Sequence, residues 1–295
     1  MRVLLTGANG FIGRYVLAIL HHQGVDVVTL GRTSSKNFPQ VEHISADLLT
    51  VSNFSSLLKN AEATHLLHLA WYTEHGEFWD SRLNFLWVDA TRRLVEDFCL
   101  AKGQRVVIAG TCAEYDWSYG YCREDNTPLN PSTLYGTAKD VTRRLVMAIC
   151  NQYQTSFAWG RVFLTYGVGE NKKRLIPSLI YAFQHKTEPF SVNTGIYRDF
   201  LHISDVAEGF VALLHADASG AYNISSGQPL QLKNLIIEIA KSLNKDPDLI
   251  LSHAIERKKE SPLLIGENSK LKQLGWNKSL EISQGLECLI QETSQ

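Results

Sequence analysis

Several things are scarce in this chain, and each scarcity narrows what it can do. No apolar run reaches the roughly 18 residues that suggest a membrane-crossing helix. The five cysteines (Cys99, Cys112, Cys122, Cys150 and Cys288) form no C-x-x-C pair and stand at no His/Cys ligand spacing. They read as reduced thiols of a cytoplasmic protein, and neither a disulfide framework nor a metal is expected. No excess of either charge exists: 29 Lys and Arg against 30 Asp and Glu leave a formal charge of −1. That balance offers nothing to nucleic acid or to an anionic membrane. Repeats and low-complexity tracts are missing as well. Met1 stands directly before the first apolar strand, so no signal peptide is expected.

What is present is enough apolar material, 44% of 295 residues, for one large core or two closely joined ones. The first half alternates in period. Strands are predicted at Val3–Leu5, Val25–Leu30, His43–Ala46, Thr64–Leu69, Arg105–Ala109 and Ser156–Phe163. Helices are predicted at Phe11–His22, Val51–Leu58, Asn84–Leu100 and Thr133–Cys150. Such alternation implies an α/β fold, a doubly wound parallel sheet with helices on both faces. After about Gly167 prolines punctuate shorter elements, with helices expected at Leu175–Gln184, Ser204–His215, Leu232–Leu243 and Ser279–Gln291. Between Lys245 and Leu264 the pattern assigns nothing.

Two motifs carry chemistry. Thr6 to Gly13 read TGANGFIG between an apolar strand and a helix. A glycine turn there leaves unpaired N–H groups at a helix N-terminus, where a pyrophosphate is favoured. The glycines fall at 7, 10 and 13, which departs from G-x-G-x-x-G. The second motif is Tyr135-Gly-Thr-Ala-Lys139. Tyrosine and lysine four apart on a helix share a face. The ammonium is expected to lower a phenol whose ordinary pKa is about 10 toward the working range.

With HLA (68–70), GTCAEY (110–115), LYGTAK (134–139), RVFLTYGVGE (161–170) and YRDFLHISDVA (197–207), the chain resembles the extended short-chain dehydrogenase/reductase superfamily acting on nucleotide-sugars. The resemblance implies a Rossmann-like domain over residues 1–166 with a return segment near 196–216, and a smaller substrate-binding lobe over 167–295. It also implies a homodimer paired through the two long helices. Thr111, Tyr135 and Lys139 match the catalytic hydroxyl, proton donor and ribose-binding lysine. Cofactor contacts carry over to Gly7, Asn9, Gly10, Phe11, Ile12, Gly13, Asp47, Leu48, Leu69 and Ala70. Substrate contacts are expected at Trp71, Thr111, Arg198 and Arg257.

Departures from the family pattern sharpen the expectation. The 4,6-dehydratases follow the hydroxyl residue with Asp-Glu, whereas this chain has Cys112-Ala113, which disfavours dehydration. Leu164 replaces a common asparagine, and Trp71 a commonly small residue. At the end of the second strand Leu30-Gly31-Arg32-Thr33 offers no acid for a ribose 2′-hydroxyl. Arg32 can fork onto a 2′-phosphate instead, which favours NADP over NAD. The expected activity is reduction of a nucleotide-activated 4-keto-6-deoxy sugar. An NAD-retaining 4-epimerase and a non-catalytic dinucleotide sensor are the alternatives. Asp199 and Asp205 are expected to cap or orient the helix that follows them, and Trp79 and Trp117 to lie near the pocket.

Overall fold

A computed structural model describes residues 1–258 and 260–293. In the first half β1 (Arg2–Thr6), α1 (Phe11–His22), β2 (Asp26–Gly31), β3 (Glu42–Ser45), α2 (Ser55–Ala61), β4 (His65–His68), α3 (Leu83–Leu100) and β5 (Arg105–Thr111) alternate as expected. A short strand β6 (Tyr121–Cys122) precedes α4 (Leu134–Tyr153), β7 (Ser156–Val162) and β8 (Leu164–Tyr166). Then come α5 (Leu175–Phe183), β9 (Tyr197–Arg198), β10 (Phe200–His202), α6 (Ile203–His215) and β11 (Gly220–Ile224). The chain ends with β12 (Leu230–Gln231), α7 (Leu232–Ser242), α8 (Asp248–Leu251), β13 (Leu263–Gly266), α9 (Ser269–Lys272) and α10 (Ile282–Thr293).

Seven parallel strands form the main sheet in the order β11-β7-β5-β4-β1-β2-β3. Alternation within each strand divides the apolar residues between two cores. Val3 and Leu5 pack with Val16, Leu17 and Leu20 of α1 and with Val206 and Phe210 of α6. Leu4, between them, faces Leu94 and Phe98 of α3 and Val146 of α4. Both faces of the sheet are therefore dry, as a parallel sheet requires. A third core joins α5, α7 and α10 through Ile176, Leu179, Leu235, Ile239, Leu286 and Leu289.

The chain returns to the main sheet through α6 and β11 and runs on to Ile224, beyond the 196–216 expected. Its hydrogen bonds explain one further difference. Helix α2 starts at Ser55 rather than Val51, because Asp97 accepts from the Phe54 N–H at 2.7 Å and Asn53 accepts from that of Ser55 at 2.7 Å. Those side chains satisfy donors that an earlier helical turn would have used. The unassigned stretch after Lys245 contains α8, entered at Pro247, and leads into β13. Strand β13 lies between β9 and β6 in a four-stranded sheet, order β12-β9-β13-β6.

Candidate active site

In the main sheet β1 lies between β2 and β4, so the chain departs from it in both directions. The crevice at the carboxyl ends of the strands beside such a switch point is where ligands bind in open α/β sheets. Every element of the site ends there. The turn after β1 carries Gly7, whose neighbour is the 69–70 segment after β4. A Cβ on Gly7 would stand 2.7 Å from the Ala70 nitrogen, and its φ of +73° is one that side chains rarely adopt. Helix α1 begins at Phe11 behind Gly10, and no side chain caps it. Its first-turn amides are thus kept for an anion, and the residues fit a dinucleotide pyrophosphate. Asn9 ties this turn to the end of β2, donating to the Thr33 carbonyl at 2.8 Å and the Ser34 carbonyl at 3.2 Å. The Arg32 side chain is exposed and makes no hydrogen bond or ion pair with any described residue. Asp47 turns inward to accept from the Leu49 N–H at 3.0 Å, and Leu48 is buried.

The other side of the crevice is built by β5 and α4. Thr111 closes β5, and its hydroxyl accepts from the Ala113 N–H at 3.2 Å. Helix α4 starts with Thr133, whose hydroxyl accepts from the Gly136 N–H at 3.1 Å. A Cβ on Gly136 would lie 2.2 Å from the Ala113 carbonyl. The glycine of Tyr-Gly-x-x-Lys thus lets α4 press onto the turn after Thr111, which brings Tyr135 near enough for the Thr111 hydroxyl to favour its phenolate. Lys139, 3% exposed, donates to the Ala109 carbonyl at 2.9 Å. Thr111, Tyr135 and Lys139 thus lie together where β5 meets the start of α4.

One expectation about these residues is corrected. Tyr135 is held above the ordinary phenol range, chiefly by burial, and the Thr111 hydroxyl only offsets part of this. Lys139 does not bring it down. Its ammonium lies 6.0 Å from the centre of the Tyr135 ring, is committed to Ala109 and sits 3.8 Å over the Trp71 ring. Burial also lowers Lys139 itself to about 7, against the opposing pull of Glu114.

Glu114, which the sequence did not single out, lies beneath Thr111. Its carboxylate accepts from the Thr111 N–H at 2.8 Å, Trp159 Nε1 at 2.9 Å and Arg161 Nε at 2.8 Å. Arg161 in turn donates to the Tyr115 hydroxyl. Phe78 was equally unforeseen and stands edge-on to Tyr135 at 4.8 Å, with Trp79 at 5.8 Å. Trp117 joins this aromatic wall and donates to the Cys112 carbonyl. Cys112 is buried with Tyr115, Cys122 and Phe163, and burial pushes its thiol up. Arg174 at the start of α5 reaches over Phe78, and its charge acts on both Tyr135 and Glu170. Glu170 is raised to about 8 by burial.

On the lobe side, Arg198 donates to the carbonyls of Tyr197 and Ser261 at 2.8 and 2.9 Å. Arg257 pairs with Glu260 at 3.0 Å, while Arg198 is lowered by burial, which the charge of Glu260 opposes. Neither aspartate of the RDFLHISD stretch caps α6, whose N-terminal cap is His202. Asp199 binds the N–H groups of Ser226, Gly227 and Gly266, and Asp205 holds Ser279 and Leu280 ahead of α10.

His68 is structural. Its ring bridges Thr6 at 2.7 Å and Thr91 at 3.0 Å, and burial first, then Lys139, lowers it to about 3. A folded-state pKa below the unfolded one means that the unfolded chain takes up the proton first, so stability falls as pH drops from about 6.5 to about 3. The shift corresponds to on the order of 5 kcal/mol across that window. Urea midpoints at neutral and mildly acidic pH are expected to differ less for His68→Gln than for the wild type. An equal difference in both proteins removes His68 from the account.

A model of the NAD dependent epimerase/dehydratase family matches residues 3–225. The dTDP-6-deoxy-L-talose 4-dehydrogenase (NAD(+)) of Aggregatibacter actinomycetemcomitans is 27% identical over 251 residues, 83% of this chain and 91% of that protein. The CDP-abequose synthase of Salmonella typhimurium is 22% identical over 302 residues, covering 98% of this chain and 97% of that one. Among solved structures, MoeE5 in complex with UDP-glucuronic acid and NAD superposes with a TM-score of 0.86 at 26% identity, over 100% of this chain and 99% of that one. The UDP-glucose 4-epimerase of Thermus thermophilus in complex with NAD superposes at 0.83 with 19% identity, over 100% and 99%, which shows the shared fold. The family match covers well over half of the chain, which therefore belongs to the NAD dependent epimerase/dehydratase family, extended short-chain enzymes that act on nucleotide-sugars with NAD(P).

Proposed function

We propose that this enzyme reduces the ketone of a nucleotide-activated 4-keto-6-deoxy sugar. The observation that carries this reading is the environment of Tyr135. Its phenol is held protonated by burial, it stands beside the Thr111 hydroxyl, and no other acid or base stands where the dehydratases keep theirs. Ala113 has no titratable group, and Cys112 is a packed thiol. A protonated donor beside a hydroxyl suits a ketone oxygen that must gain a proton. Thr111 would hold that oxygen and Tyr135 would protonate it. The bound nicotinamide supplies the hydride. Gly7, Asn9, Gly10, Phe11, Ile12 and Gly13 would hold the pyrophosphate end, Asp47 and Leu48 the adenine side, and Leu69, Ala70 and Lys139 the nicotinamide ribose side.

Arg198 and Arg257 would meet the nucleotide diphosphate, since a buried diphosphate needs cationic hydrogen-bonding partners. The 4-dehydrogenase and the abequose synthase among the relatives, both named for deoxysugar nucleotides, support a deoxysugar substrate. Exposed Phe85 and Leu86 on α3 and Val141 and Leu145 on α4 support pairing of two copies through these helices. A cytoplasmic setting accords with five free cysteines.

The test is cofactor oxidation on mixing NADPH or NADH with a dTDP-, CDP-, GDP- or UDP-linked 4-keto-6-deoxyhexose. Turnover with net cofactor oxidation is expected. Inversion of a nucleotide-hexose at one carbon without net oxidation would make the enzyme a 4-epimerase instead. For the cofactor we propose NADP, on the unengaged Arg32 and the missing acid at the end of β2. Loss of a charge-assisted bond costs roughly 1.5–3 kcal/mol, so Arg32→Ala should weaken NADP by about one to two decades and leave NAD unchanged. Equal weakening of both, measured by titration calorimetry, would overturn the NADP reading.

A further inference from the structure

The surroundings of Trp71 fix it through three contacts. Its Nε1 donates to Asn84 Oδ1 at 2.9 Å, and Asn84 is fully buried and itself donates to the carbonyls of Phe78 and Ser81. Its ring stacks on Trp87, with centroids 5.9 Å apart. The ammonium of Lys139 lies over the same ring, 3.8 Å from its centre. We propose that Trp71 is a positioning residue for Lys139: its indole face carries the buried ammonium and, with the Ala109 carbonyl, sets the direction in which the cation points.

The chemistry follows from the hydrogen-bond inventory. A lysine ammonium has three N–H donors and no acceptor. One reaches Ala109, and the indole face takes a second direction, which leaves one for the ribose and Tyr135 side. A cation over tryptophan is attracted most strongly when both are desolvated, and Lys139 is nearly inaccessible to solvent. Few other charges act on it. Glu114, from the turn after β5, favours its charged form, while burial disfavours it. His68 on β4 is neutral, lowered in part by this same ammonium. Tyr135 on its own helix is protonated, and the next residue, Asp140, is spent on Arg143 and Arg144. The indole is thus the nearest group that stabilises the charge besides Ala109. Trp71, expected from the sequence as a substrate contact, is in this proposal a residue that acts through the lysine.

The proposal deepens the reading of Lys139 as a member of the triad, and its test needs no substrate, so it succeeds or fails independently of which sugar is reduced. The protein is prepared with lysine carrying ¹³C at Cε, and the Lys139 signal is identified by its absence in Lys139→Met. A ring current from the indole should shift that signal upfield in the wild type, and the shift should vanish in Trp71→Leu. Its titration, near neutral pH in the wild type, should fall by about one pH unit in Trp71→Leu and by less in Trp71→Phe. Incorporation of 5-fluorotryptophan at all six tryptophans weakens the ring's negative face while keeping its shape, and should lower the titration point even if the leucine variant does not fold. An unshifted Lys139 signal in the wild type, or an unchanged titration in the fluorinated protein, overturns the proposal.

Discussion

Tyr135→Phe is expected to lower kcat by a factor of about 10² to 10⁴, the usual range for a lost acid–base group. The phenol is the group best placed to protonate a ketone oxygen, because burial keeps its proton on and Thr111 stands beside it. The substitution removes one oxygen. The ring keeps its edge-on contacts with Phe78 and Trp79, and the backbone keeps its bond to the Trp79 carbonyl at 2.9 Å. Affinity for NADPH or NADH should therefore stay within about twofold, since the lost hydroxyl serves the substrate and Thr111 rather than the cofactor. Steady-state turnover beside a fluorescence titration of the cofactor separates the two effects. Near wild-type turnover would mean that another group supplies the proton.

Lys139→Met should abolish most activity and yet make the protein more stable at neutral pH. The lysine is fully buried and lowered from 10.5 to about 7, chiefly by desolvation. At about 1.36 kcal/mol per unit, that lowering is a folding penalty on the order of 5 kcal/mol. Removing the ammonium leaves the Ala109 carbonyl without its donor and the Trp71 face without its cation, losses of roughly 1–3 and 0.5–2 kcal/mol that offset part of the gain. A net gain of up to about 3 kcal/mol remains, an exchange of stability against activity that is common at functional sites. Its pH dependence has a definite sign. The unfolded lysine holds its proton up to about 10.5 and the folded one only to about 7, so wild-type stability rises across that interval. The advantage of the methionine variant should be full below about pH 7 and fade toward pH 10.5. Chemical denaturation at three pH values spanning this range measures it. A destabilised variant at neutral pH would show that the bonds of Lys139 outweigh the cost of burying its charge.

The linear order of residues determined much of this protein, because several of its requirements are local. Strand and helix periods placed β1 to β5 and α1, α3 and α4 to within a few residues. The glycine turn and the Tyr135–Lys139 spacing are complete within single segments, so both motifs were legible before any fold was known, whereas Thr111, on β5, entered only through the family resemblance. What lies across segments was not legible. Phe78 carries no local signature and joins the site only when the 71–82 stretch folds against α4. Glu114 does sit at a legible spacing, closing a Thr111-x-x-Glu114 capping box, but its bonds to Trp159 and Arg161 form only when β7 folds against it. Burial decided the rest. The sequence pairs Tyr135 with a cation and suggests a lowered phenol, whereas the folded chain sinks both groups out of water and sends the ammonium to Ala109 and Trp71. Spacing along a helix fixes which side chains are neighbours. Only the packed structure fixes how much solvent each has lost, and in this site desolvation is the largest influence on the charge of both.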